Sequence, residues 1–182
     1  MEINKENYKL YLVAGNMLTE GSLVGDFMKK DDDKFVCEII IDSKKVEDAG
    51  SQSCITTKFP NKYVIYIMLG MFASLKQDDA MSTMDLYREL GHIELGHLED
   101  DYLKIADSEG NIDDSEELYF KDELEADKFA AELLGYEKCI DALKETLKIR
   151  GKVDREMGLN GYPSSVKAMR NYRKRIAALE EA

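Results

Sequence analysis

Asp85-Leu86-Tyr87-Arg88-Glu89-Leu90-Gly91-His92-Ile93-Glu94-Leu95-Gly96-His97 is the stretch whose reading decides the fold. Leu86, Leu90 and Ile93 recur at helical spacing, with His97 on the same face, and the pattern predicts a helix from Ala80 to His97. A second predicted helix, Leu118 to Tyr136, contains Glu123-Leu124-Glu125-Ala126-Asp127-Lys128-Phe129-Ala130-Ala131. Its Ala126, Ala130 and Leu133 form a face suited to close packing against the first helix.

Outward from this pair, further helices are expected over Tyr136 to Arg150 and Ser164 to Leu179, the latter with Ser164 or Ser165 as N-cap. Gly158 to Pro163 is the break between them. Upstream, Tyr63 to Met68 and Phe35 to Ile41 read as strands, and Ser53 to Phe59 as a weaker one. Gly70 interrupts the strand pattern, and a short helix begins at Met71 and runs to Leu75. Lys5 to Leu18 shows apolar residues at roughly helical spacing, ending at Gly21, and is read as a helix. Asp31 to Asp33 and the acidic stretch Asp100 to Glu117 are read as loops. The fold class expected is α+β: a small twisted sheet of roughly three or four strands from the first half, packed on the Ala80–His97 helix, with a helical C-terminal lobe.

The bulk properties bound the function. A chain of 182 residues with 44% hydrophobic content is expected to form a single domain, residues 1–182, with a real core. A net charge of -12 repels phosphates, so nucleic acid is not an expected partner, and Lys167 to Arg175 reads as a solvated helix face. The N-terminus lacks an apolar leader, and the longest apolar run, Tyr63 to Leu75, is short of a membrane span. Cys37, Cys54 and Cys139 are an odd number at unpatterned spacing, which suits reduced thiols. A cytoplasmic protein without a membrane partner is expected.

The chemistry lies in the first quoted stretch. Four residues advance a helix by about 400°, so imidazoles at i and i+4 project toward one metal ion. A glutamate after the first imidazole can then deprotonate a metal-bound water. Glu89 and His92 stand at the base and second-ligand positions, but Arg88 stands where the first imidazole is needed. A guanidinium stays protonated and offers no lone pair. His97 lies about 140° around a continuous helix from His92, so one metal could not take both rings without a bend. Its expected role is packing or a supporting contact.

Together the two helices resemble the HExxH zinc metallopeptidases that take a glutamate as third ligand. The order of a strand and Gly70, the RELGH helix, an acidic loop, the Glu123–Ala131 segment and Gly161-Tyr162-Pro163-Ser164-Ser165 is similar to two groups. These are the prenyl-protein protease and bacterial membrane heat-shock protease family, and the small ImmA/IrrE-type peptidases of bacteria and mobile elements. The resemblance covers roughly residues 60–175 and implies a zincin-like fold. It implies Glu89 as general base, His92 and Glu123 as zinc ligands, and Asp127 as a carboxylate that orients a ligand. It suggests Tyr162 as a hydrogen-bond donor to the transition state. Zinc is the family's cofactor, and with Arg88 in the ligand position it is expected to bind weakly or not at all.

Two functional readings stay open, beside a chance similarity in an unrelated helical domain, which would be favoured if the helices at residues 80 to 97 and 118 to 136 did not pack together. In one, the site is degenerate and the fold serves to bind or regulate a peptide or protein partner. Arg88 then replaces the metal's charge through a fork to Glu123, and an extended peptide adds to the edge of the Tyr63–Met68 strand. In the other, the chain is an active zinc endopeptidase with Glu89 as base. It then has either an altered ligand set or a His-to-Arg variation at position 88.

Overall fold

The computed structural model describes residues 7–14, 18–30, 34–49, 53–98 and 112–182, with side chains from residue 119 in the last segment. The fold is α+β, a five-stranded mixed sheet and, among the described residues, six helices. The strands are β1 (Tyr8–Leu12), β2 (Leu23–Lys29), β3 (Lys34–Ile41), β4 (Cys54–Phe59) and β5 (Lys62–Ile67), in the spatial order β1-β2-β3-β5-β4. Only the β3–β5 pair is parallel. The helices are α1 (Ser43–Asp48), α2 (Leu69–Leu75), α3 (Ala80–Glu94), α4 (Ile112–Leu134), α5 (Tyr136–Glu156) and α6 (Pro163–Glu180).

β5 explains why its residues are apolar without alternation. Ile65 and Ile67 face the main core with Leu86 and Leu90 of α3, whereas Val64 and Tyr66 pack on the other face with Val46 of α1. A strand covered on both sides needs apolar residues at every position. The helical lobe has its own core, in which Met84, Ala130, Cys139, Leu143 and Ile176 meet. All three cysteines are buried, and no disulfide forms among them. Among the described residues no helix is long and apolar enough to cross a membrane.

Several sequence expectations are corrected. The expected helix from Lys5 to Leu18 is in its described part a strand, β1 at Tyr8–Leu12. There Tyr8 is buried while Lys9 and Tyr11 are exposed, a period of two rather than 3.6. Its partner β2 was not anticipated, because Gly25 and Asp26 interrupt the apolar pattern. Gly25 is required there, since a Cβ would lie 2.3 Å from the Tyr11 carbonyl oxygen. The helix expected through His97 stops at Glu94. The acidic loop expected to Glu117 gives way to α4 from Ile112, as acidic residues suit the opening turns of a helix. Residues 31–33 and 99–111 lie outside the described residues. α6 starts at Pro163 with Tyr162 as N-cap, not at a serine, and Pro at the first helical position needs no donor partner.

What positions the site is the close approach of α3 and α4. Gly91 sits against Ala126 and Phe129, where an added Cβ would lie 3.2 Å from the Ala126 Cα and carbonyl oxygen. Ala126 and Ala130 are fully buried beside it. Gly91→Val should therefore destabilise the fold by about 1–3 kcal/mol in urea unfolding. Gly70→Ala, which meets nothing within 4 Å, should be neutral or stabilising. Equal effects of the two substitutions would contradict this packing.

Candidate functional site

An open cleft of about 1060 Å³ runs between β4, α3, α4 and the C-terminal helices. Its floor is a cluster of buried charges. Arg88 of α3 extends Nη1 to Glu123 Oε2 at 3.1 Å and Nη2 to Glu89 Oε1 at 3.2 Å. The guanidinium therefore spans two carboxylates instead of forking onto Glu123 alone. Its side chain is 13% exposed, which excludes a solvent-pointing arginine. Arg88 Nε is buried with no hydrogen-bond partner. Burial alone would ease the proton off Arg88, but Glu123, Asp85 and Glu89 override it and hold the guanidinium charged.

Each carboxylate has a second partner. Thr56 Oγ1 of β4 donates to Glu89 Oε2 at 2.7 Å, and Ser53 donates to Asp85 at 2.7 Å, so two hydroxyls clip the β4 end of the sheet to α3. Glu123 Oε1 lies 3.3 Å from His92 Nε2. Burial would raise the Glu123 carboxyl, yet Arg88, then the His92 hydrogen bond and Arg175, hold it well below the usual carboxylate range.

Asp127 has no exposed surface, and its two oxygens accept from Arg175 Nε and Nη2 of α6, each at 2.6 Å. Arg175 Nη1 also approaches Glu123 Oε2 at 3.7 Å. Asp127 is thus linked to Glu123 through Arg175. Sequence reasoning missed Arg175 and took its segment for a solvated face. The signal was present, since Tyr172, Arg175, Ile176 and Leu179 share one stripe of α6, and a charge on an apolar stripe needs a buried partner.

His97 corrects a second expectation. Leu95 caps α3, Gly96 takes a φ of +76°, and the chain turns back. The His97 N–H donates to the His92 carbonyl at 3.0 Å and the Gly96 N–H to the Ile93 carbonyl at 3.2 Å. This left-handed glycine turn brings the side chain after the glycine onto the last helical turn. The two imidazoles expected to diverge therefore meet, with Nδ1 to Nδ1 at 3.0 Å. Gly96, followed directly by a histidine, was the legible signal.

Arg88, Glu89, His92, His97, Glu123 and, through Arg175, Asp127 are thus brought together. Tyr162 is not: it is exposed at the start of α6 and does not line the cleft. Cys54 lines the cleft, but burial pushes its thiol well above the usual range, so it is no nucleophile near neutral pH. The donor set does not fit a catalytic zinc at the expected position. Only His92 and Glu123 can ligate there, and the Glu123 oxygen on the Arg88 side is occupied by a guanidinium. Compared with known proteins, the chain matches no family model, no curated protein and no solved structure.

The depressed Glu123 carboxyl has a consequence for stability. Its ordinary value is 4.5 and its folded value lies lower, so its contribution is present above about pH 4.5 and is lost as pH falls. Urea unfolding from about pH 6 to about pH 3 should show stability falling more steeply in the wild type than in Glu123→Gln. Parallel slopes would contradict the ion cluster.

Proposed function

We propose that the chain is a peptidase-type scaffold in which Arg88 takes the place of the catalytic cation, and that its cleft binds a peptide or protein segment without cutting it. The observation that carries this reading is the Arg88 guanidinium between Glu89 and Glu123, at 3.2 and 3.1 Å. In a zincin-like site those carboxylates would serve as base and ligand. Here both are paired with one guanidinium, which binds no water as a ligand and so cannot activate one as a metal does.

The cleft suits an extended ligand. β4 ends the sheet, and β5, whose edge was expected to receive the peptide, is paired on both sides by β3 and β4. Among the described residues the edge strands are β1 and β4, and β4 is the one that lines the cleft, with Cys54, Ile55 and Thr56. A peptide added along β4 would gain main-chain hydrogen bonds and run past the Arg88 cluster.

The test is proteolysis of an unfolded protein substrate with zinc added. Wild type should stay at background, whereas Arg88→His should acquire zinc-dependent cleavage that is lost again in Arg88→His/Glu89→Gln. Zinc-dependent cleavage by the wild type would overturn the reading in favour of an active endopeptidase.

A further inference from the structure

Beside the Arg88 cluster runs a line of contacts that the peptide-binding reading does not use. Glu123 Oε1 faces His92 Nε2 at 3.3 Å, His92 Nδ1 faces His97 Nδ1 at 3.0 Å, and His97 Nε2 faces Glu125 Oε2 at 3.3 Å. Asp122 Oδ1 lies 3.9 Å from the same His97 Nε2. Every participating atom is a carboxylate oxygen or an imidazole nitrogen. Each contact needs a hydrogen or a cation between its two atoms, because lone pairs facing each other repel.

Two neutral imidazoles carry one N–H each, which serves two of the three contacts. In one tautomer assignment Glu123, held ionised by Arg88 and Arg175, takes the His92 Nε2–H. His92 Nδ1 is then an acceptor and takes the His97 Nδ1–H. In that assignment His97 Nε2 carries no hydrogen, and its contacts with Glu125 and Asp122 are open to a cation. His97 and Asp122 are buried, at 8% exposure each, whereas Glu125 opens the cluster to solvent. Lys121 reaches only the other oxygen of Glu125, Oε1, at 3.6 Å, and from an exposed position.

We propose that His97 Nε2, Asp122 and Glu125 bind one divalent first-row transition-metal ion such as zinc. One donor atom from each of the three lies within 4.8 Å of the others, a spread that one ion can draw together. Asp122 and Glu125 are three apart on α4 and so share a face, and the turn at Gly96 delivers His97 to them. One imidazole and two carboxylates form a mixed nitrogen–oxygen donor set suited to such ions. A hydrogen on His97 Nδ1, shared with His92 Nδ1 at 3.0 Å, would fix the ligating tautomer, the supporting contact that metal-bound histidines usually have. The ion would pin the end of α3 to α4. Glu89, whose oxygens are taken by Arg88 and Thr56, is not among its ligands. The proposal does not depend on whether the cleft binds peptide.

Cobalt(II) titration of the metal-stripped full chain tests it, read by visible absorption and by metal content after gel filtration. One equivalent should bind and be displaced by zinc. Glu125→Gln and Asp122→Asn, near-isosteric changes, should each weaken binding by at least the roughly 10- to 100-fold that loss of a supporting partner costs. Binding unchanged in both variants would place the ion elsewhere, including between His92 and Glu123, and overturn the assignment. No uptake, with both His97 ring nitrogens protonated in nitrogen NMR, would assign the missing charge to a proton and equally overturn it.

Discussion

A buried guanidinium keeps its proton, and the groups around it have to answer its charge. Arg88 is enclosed by α3, α4 and β4 and draws Glu89 and Glu123 onto its two terminal nitrogens. That arrangement depends on the close approach of α3 to α4, which the missing side chain at Gly91 permits. Larger residues at this crossing would move Glu123 away from Arg88 and leave opposite charges buried and apart. Packing and electrostatics are therefore one constraint. The small faces of Gly91 and Ala126 set the distance at which the ion pair forms.

The second arginine extends the same logic. Arg175 closes on Asp127 with two short hydrogen bonds and reaches toward Glu123, tying α6 to the floor of the cleft. Buried ion pairs contribute less to net stability than their geometry suggests, because desolvation offsets much of the attraction. Removing one partner is nonetheless costly, since the other charge is left buried. The network links α3, α4 and α6 through Arg88, Glu123, Arg175 and Asp127.

How much of this was legible in the sequence follows from what each residue's neighbours along the chain reveal. α3 and the central strands β3 and β5 carry long apolar patterns that local spacing decodes. β1 misled because Tyr8, Leu10, Tyr11, Ala14 and Leu18 fit a helical period nearly as well as an alternating one. Only the pairing with β2 decides between them. β2 in turn carries Gly25 for a backbone approach from Tyr11 that no local pattern announces. Arg88 and Glu123 could be placed near each other because both lie on helices with readable faces. Arg175 comes from α6, far along the chain, and its partner is set by how α6 packs. The meeting of His92 and His97 was lost by extending α3 three residues too far, although Gly96 marks the turn.

The most direct test of the central claim, that Arg88 and Glu123 form one coupled charge pair where a metal site would otherwise stand, is a double-mutant cycle in urea unfolding at neutral pH. It would use Arg88→Met, Glu123→Gln and the double variant. The account expects each single change to be clearly destabilising and the double to be much less so than their sum, with a coupling of about 1–3 kcal/mol. Additive effects within about 0.5 kcal/mol would mean the two groups do not depend on each other, and the arginine would then not stand in for a cation.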